Sequence, residues 1–122
     1  MSKNKIANLI IDAANDKILF KLIFKDKTYT NEHENSRKNF DKFSILLMRF
    51  LTKKQHSFKK VRNVFINQGP GKYTSIRNSM ATIKALQLVY GFDYYGFKNK
   101  DIIGGDYVKI LQLFKQKKLI KN

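Results

Sequence analysis

The run Asn67-Gln-Gly-Pro-Gly-Lys-Tyr-Thr-Ser-Ile-Arg77 concentrates the residue types whose spacing suits chemistry. Gly69 and Gly71 admit backbone angles that a side chain forbids, and Pro70 stiffens the turn between them. A short apolar run, Val61 to Ile66, leads in, and helical spacing from Thr74 to about Tyr90 leads out. Thr74 is placed to accept from a backbone N–H as the N-cap. Free N–H groups at a helix start, with Lys72 beside them, attract an anion such as phosphate. The same spacing equally describes a tight strand-to-helix connection with no ligand. It is not a P-loop, because no Gly-Lys-Ser/Thr closes it at the right distance. Nor is it a dinucleotide fingerprint, which needs three glycines where two stand here.

Other candidates are sparse. Asp12 ends an apolar run and is the one carboxylate in a suggestive position. His33 and His56 sit in polar segments far apart, and with no Cys and no His-x-x-x-His pair they make a poor metal site. Ser75 and Ser79 have no nearby base in sequence, so no nucleophilic triad is indicated. These missing parts argue for a non-catalytic component.

The elements that must position these residues follow from hydrophobic periodicity. Asn8–Ala13 reads as a buried strand, Ile18–Phe24 alternates as a second, and Thr28–Thr30 starts a third, with turns at Asn15-Asp16 and Lys25-Asp26-Lys27. Asn31–Arg37 reads as a polar loop. Ser36–Lys54 reads as one helix with Phe40, Phe43, Leu47, Phe50 and Leu51 on one face. Ile45, Leu46 and Met48 broaden that face, which suits either a second contact or a well-covered helix. Gln55–Lys60 is a basic loop and Val61–Ile66 a fourth strand. The second helix, Thr74–Tyr90, carries Ser75, Ser79 and Thr82 as a small-residue face that admits a close helix or simply permits local packing. Phe92–Phe97 reads as a short fifth strand. After Gly104-Gly105, Asp106 is an N-cap for a last helix to about Lys118, and the basic tail Lys115–Asn122 frays.

Composition sets the outer bounds. The 122 residues make one domain with a modest core, and no apolar run approaches a membrane span. Without cysteine there is no disulfide framework, and the sequence predicts a cytosolic protein. The net charge is +16, which favours polyanions, RNA first. Lysine supplies 21 of the 25 positive residues and is scattered end to end, beside 11 Asn and many Ile. That bias fits AT-rich coding as well as a used basic surface. In either case weak, salt-sensitive RNA binding follows.

The segment Gly69-Pro-Gly-Lys-Tyr-Thr-Ser-Ile-Arg77, followed by Ala81-Thr-Ile-Lys84, resembles the pattern Gly-Pro-Gly-Ser-Phe-Thr-Gly-Leu-Arg then Ala-Thr-Ala-Lys. That pattern marks the TsaB (YeaZ) family, which helps make threonylcarbamoyladenosine on tRNA. Leu9-Ile-Ile-Asp12 is similar to the family's first strand, and Glu34-Asn-Ser-Arg37 to the lead-in of its first helix. The resemblance covers the chain to about Phe97. It departs in three places. Asp-Thr-Ser has become Asp12-Ala13-Ala14, the Gly after Thr is Ser75, and the family's second lobe has no counterpart. Pattern and resemblance agree on an α/β fold spanning residues 1–122. The expected architecture is a single ribonuclease-H-like lobe, a mixed five-stranded sheet of order 3-2-1-4-5 with helices packed on it, and the resemblance implies the actin-like ATPase superfamily.

The resemblance implies a non-catalytic scaffold that pairs with a TsaD-type catalytic subunit or with itself, with a TsaE-type ATPase as a further partner and tRNA met through the complex. It places Ile45, Met48 and Thr52 of the first helix, and Ser75, Ser79 and Thr82 of the second, at the partner interface. Gly69, Pro70, Gly71, Thr74 and Arg77 set the second helix's start, with Arg77 pairing a nearby carboxylate or carbonyl. Asp12 is a vestigial nucleotide site, so no cofactor is expected beyond a residual ATP/Mg possibility. Two rivals stand beside this reading. One is a basic RNA-binding module that stacks bases on Tyr94, Tyr95 and Phe97 beside Lys98 and Lys100. The other is a small nucleotide-binding lobe using Asp12 and the Gly69–Gly71 turn.

Overall fold

The computed structural model describes residues 6–54 and 58–121, and of residues 103–105 the backbone. Strands β1 (Ala7–Asp12), β2 (Lys17–Phe24) and β3 (Lys27–Glu34) form an antiparallel meander. Helices α1 (Arg37–Phe40) and α2 (Phe43–Lys53) follow. A 3₁₀ turn, Phe58–Lys60, leads into β4 (Val61–Asn67), which lies parallel to β1. Helix α3 (Tyr73–Tyr90) crosses over to β5 (Asp93–Phe97), parallel to β4. A 3₁₀ stretch (Asn99–Gly105), helix α4 (Val108–Lys115) and strand β6 (Ile120–Lys121) complete the chain.

The sheet order is β3-β2-β1-β4-β5-β6. The expected order of five strands is present and a sixth extends it. The basic tail does not simply fray, because Ile120 and Lys121 pair antiparallel with Gly96 and Tyr95, and Lys121 Nζ lies 3.2 Å from Asp93.

Strand alternation divides the interior in two. Leu9 and Ile11 of β1, Val64 and Ile66 of β4, and Tyr94 of β5 face the layer of α2 and α3, where Phe43, Leu47, Phe50, Leu51 and Ile83 meet them. Ile10, Phe65 and Phe97 point to the other face, under Ile110 and Phe114 of α4. Phe58 stacks on Tyr90 and Phe92 at 5.5 and 5.6 Å, closing the first layer. Burial of each such aromatic stabilises the fold by ~2 kcal/mol.

Several element boundaries differ from the sequence pattern. The helix expected over 36–54 is broken at Asp41-Lys42. Asn78 Nδ2 of α3 donates to the Phe40 carbonyl at 2.9 Å, so a tertiary bond takes an acceptor that a continuous helix would use itself. Residues 31–34 are strand rather than loop, because they complete the ladder opposite Lys17–Phe20. The last helix is shorter than expected. Tyr107 is its N-cap residue, although Asp106 Oδ1 still accepts from Val108 N–H at 3.0 Å. The Gly91 stop of α3 is left-handed, φ 72°, where glycine carries no penalty.

Candidate functional site

The parallel strands β1, β4 and β5 end side by side, and their last residues hold the Gly-Pro-Gly turn. Two strand ends make the same local bond. Asp12 Oδ1 accepts from Ala14 N–H at 3.0 Å, and Asn67 Oδ1 accepts from Gly69 N–H at 2.7 Å. Both are turns in which an Asp or Asn side chain replaces a backbone acceptor. Asn99, just past β5, joins them. Its Oδ1 accepts from Asn67 Nδ2 at 2.8 Å and from Asn15 Nδ2 at 3.2 Å, and its Nδ2 donates to the Pro70 carbonyl. Asn99 N–H also donates to the Gly69 carbonyl at 3.1 Å.

The two glycines act differently. Gly69 has φ 98°, open to glycine and costly for other residues. The requirement at Gly71 is space, since a Cβ there would lie 2.0 Å from the Ala14 carbonyl oxygen. That oxygen accepts from Lys72 N–H at 2.8 Å, so the turn is sewn to the end of β1. The Gly69–Pro70 peptide is cis.

Helix α3 starts one residue earlier than its sequence suggests. Lys72, not Thr74, is the N-cap, and no side chain caps the helix. Thr74 lies exposed in the first turn. Lys72 Nζ turns back to donate to the Asn35 carbonyl at 3.1 Å, 4.0 Å from Asp16, rather than standing free over the turn. Among the described residues Arg77 is held by a tyrosine rather than by a carboxylate or carbonyl. Its guanidinium lies over the Tyr73 ring, 5.3 Å from the centroid, and donates to the Tyr73 hydroxyl at 3.1 Å.

Asp12 is 1% exposed, and its carboxylate is enclosed by this chain's own donors. The Tyr107 hydroxyl, from the residue preceding α4, donates to Oδ2 at 2.7 Å, and Asn15 Nδ2 stands 3.4 Å from both oxygens. Burial, then the bond to Asp12, pushes the Tyr107 hydroxyl well above the ordinary tyrosine range. The carboxylate read from the sequence as a vestigial nucleotide site is thus engaged by Ala14, Asn15 and Tyr107 of this chain. Among the described residues no group of three His, Cys, Asp or Glu converges for a metal. His33 pairs opposite Ile18 on the edge strand β3 and meets the Phe20 ring; His56 lies outside the described residues.

The six residues assigned to a partner interface separate into two groups. On α2, Ile45 (49% exposed), Met48 (38%) and Thr52 face outward and line an open groove with Ser44, Arg49 and Lys53. On α3, Ser75 and Ser79 face inward. Ser75 Oγ donates to Asn35 Oδ1 at 2.8 Å, and Ser79, 0% exposed, donates to the Ile76 carbonyl at 2.8 Å. Thr82 is half-buried. The exposed apolar residues of α3 are instead Tyr73, Leu88 and Val89.

Asn35 is a further site residue that periodicity does not reveal. Its Nδ2 donates to the carbonyls of Ala13 and Asn15, at 2.9 and 2.8 Å, and its Oδ1 takes the Ser75 hydroxyl. The aromatic run of β5 offers no stacking platform. Tyr94 and Phe97 are buried, and Tyr95 packs on Phe65 and Phe114 at 5.6 and 5.0 Å. The structural signal for Asn15, Asn67 and Asn99 was their place at strand ends, where asparagine commonly bonds nearby backbone. Tyr107 gave no such signal.

No family model matches this chain, and no curated protein sequence does. Solved structures do. YeaZ from Pseudomonas aeruginosa aligns with TM-score 0.73 at 12% identity, over 92% of this chain and 50% of its own. A crystal structure of an uncharacterised protein with similarity to peptidase YeaZ, from the same organism, gives 0.73 and 12% over 92% and 49%. RuvC from Thermus thermophilus, in complex with Holliday junction substrate, aligns with TM-score 0.55 at 7% identity over 80% of this chain and 67% of its own. This chain spans about half the length of the YeaZ structures. Over that length it has their fold, and both sets of neighbours fit a ribonuclease-H-like lobe with a mixed six-stranded sheet.

Proposed function

We propose that this chain is a non-catalytic, TsaB-type scaffold corresponding to an N-terminal lobe. It pairs through the outer sides of α2 and α3 with a TsaD-type catalytic subunit, or with a second copy of itself, in a cytoplasmic complex that modifies tRNA. The observation that carries this reading is the outer side of α2. Phe43, Leu47, Phe50 and Leu51 already supply its inward stripe, yet Ile45 and Met48 stand exposed on the opposite side. A helix covering only its own core has no need of that second apolar strip. Tyr73 and Arg77, bonded together at the start of α3, add two of the residue types enriched among interface anchors.

The fold match over half of YeaZ supports the lobe assignment. The enclosed Asp12 favours a structural role for the strand ends over phosphate chemistry. The reading is tested by mixing the protein with a TsaD-type protein and measuring mass by light scattering during size exclusion. A one-to-one complex, lost in Met48→Arg, is the expected result. Failure of the wild type to associate with either TsaD or itself removes the reading.

A further inference from the structure

The segment from Lys98 to Lys121 holds seven lysines and two aspartates. The fold gathers part of this excess around two adjoining depressions beside α4 and the β5–β6 edge. One, of about 250 Å³, is lined by Gln68, Lys98, Lys100, Lys118, Leu119 and Ile120, among others. The second, of about 220 Å³, shares Lys100 and Asp101 with it and runs on along Lys109, Gln112 and Gln116 of α4. The five side chains Lys98, Lys100, Lys109, Lys118 and Gln116 are exposed. Gly96 keeps the floor of the first depression open to an amide, because Gln68 lies against it, where a Cβ would meet the amide carbon at 2.2 Å.

We infer that these two depressions form one docking groove for the phosphodiester backbone of a nucleic acid. Its walls are lysine ammonium groups and its further polar groups are mainly side-chain amides, a lining rich in donors. The single carboxylate on the shared wall, Asp101, already accepts from Lys98 N–H at 2.8 Å. A linear polyanion satisfies several spaced ammonium groups at once, and each phosphate it seats releases counterions. Exposed Ile120 and half-buried Leu119 offer an apolar shelf beside the cations for sugars or bases. The protein's +16 charge adds a long-range attraction that brings the polyanion in, while the groove fixes where it rests. An acidic peptide is the rival occupant. The groove's continuity past Lys100 into a second lysine-walled depression favours a chain with charge at every repeat. The groove shares no residue with the α2 face, so the inference stands apart from the scaffold reading.

The test is a fluorescence-anisotropy titration of the wild type with a 12-nucleotide single-stranded RNA, across salt concentrations. Two triple variants are compared: K98A/K100A/K118A in the groove and K38A/K42A/K84A elsewhere on the surface. The groove variant should bind at least tenfold more weakly at 0.15 M salt and flatten the slope of log affinity against log salt by about 2, roughly 0.7 for each lost contact. The other triple, which removes the same charge, should stay within threefold of wild type. Single variants K100A and K118A, each flattening the slope by about 0.7, carry the test if the groove triple fails to fold. Equal weakening by both triples would overturn the inference, since charge alone would then explain binding. Absence of wild-type binding would overturn it too, as would polyglutamate of equal charge binding as tightly as the RNA.

Discussion

The Tyr107 hydroxyl donates to Asp12 Oδ2 at 2.7 Å, joining the residue before α4 to the end of the first strand, 95 positions away in sequence. Tyr107→Phe leaves a buried carboxylate oxygen short of a donor. The expected cost is ~2 kcal/mol, read as a lower urea midpoint at pH 7 with an unchanged slope. An unchanged midpoint would mean that water or Asn15 replaces the bond without loss.

The same bond predicts a pH dependence. The folded-state pKa of Tyr107 is raised, by burial first and by Asp12 second. Its stabilising contribution is therefore fully present below the unfolded tyrosine value, about 10, and is lost as pH rises above that value toward the folded one. Between pH 8 and 11 the wild type should lose more stability than Tyr107→Phe, the lysines titrating in both. Parallel losses would show that the hydroxyl does not couple to folding.

The glycines of the turn should rank by mechanism. Gly71→Ala drives a Cβ into the Ala14 carbonyl and breaks the Lys72 bond, at ~3 kcal/mol. Gly69→Ala must hold a positive φ at ~1 kcal/mol, and its new Cβ meets the flexible end of Ile76 at 2.9 Å and the Gly71 backbone nitrogen at 3.2 Å, both milder than the carbonyl clash at Gly71. Urea midpoints that reverse this order would contradict the close approach at Gly71.

Asn35→Ala removes two donated bonds and one accepted bond at a buried position, with an expected loss of ~3 kcal/mol. Ser75→Ala removes one of these and should cost ~1 kcal/mol. The double variant should fall short of the sum, because both substitutions break the same bond. Full additivity would place Ser75 elsewhere than on Asn35.

These residues also show what the sequence revealed. The first five strands were legible because β1, β2 and β4 carry apolar runs or alternation, while their order rested on right-handed crossovers together with the family resemblance and left out β6. The break between α1 and α2 was not legible, since Phe40, Phe43, Leu47 and Phe50 keep helical spacing straight through it, while the Asn78 bond to the Phe40 carbonyl at the break comes from 38 positions away. Ser75 and Ser79 read as an outward small-residue face, and only their inward partners, Asn35 and the Ile76 carbonyl, fix their direction. Lys-rich residues 115–121 read as frayed because charge hides the two-residue pairing of β6 with β5. The place of the Gly-Pro-Gly turn was visible, but not the close approach that requires Gly71 or the Lys72 N-cap, and the Asn67–Asn99–Pro70 bonds that hold it join residues about 30 positions apart.

The central claim is that the outer side of α2 is a protein-docking face. Its most direct measurement is the mass of the complex formed with a TsaD-type protein, by size exclusion with light scattering, for wild type and for Met48→Arg. Met48 is exposed, so the variant should keep the wild-type melting temperature within about 2 °C. The account predicts a one-to-one complex for wild type and at least a tenfold weaker one for the variant. A complex that forms equally well with Met48→Arg would contradict it, because the partner would then be held by some other face.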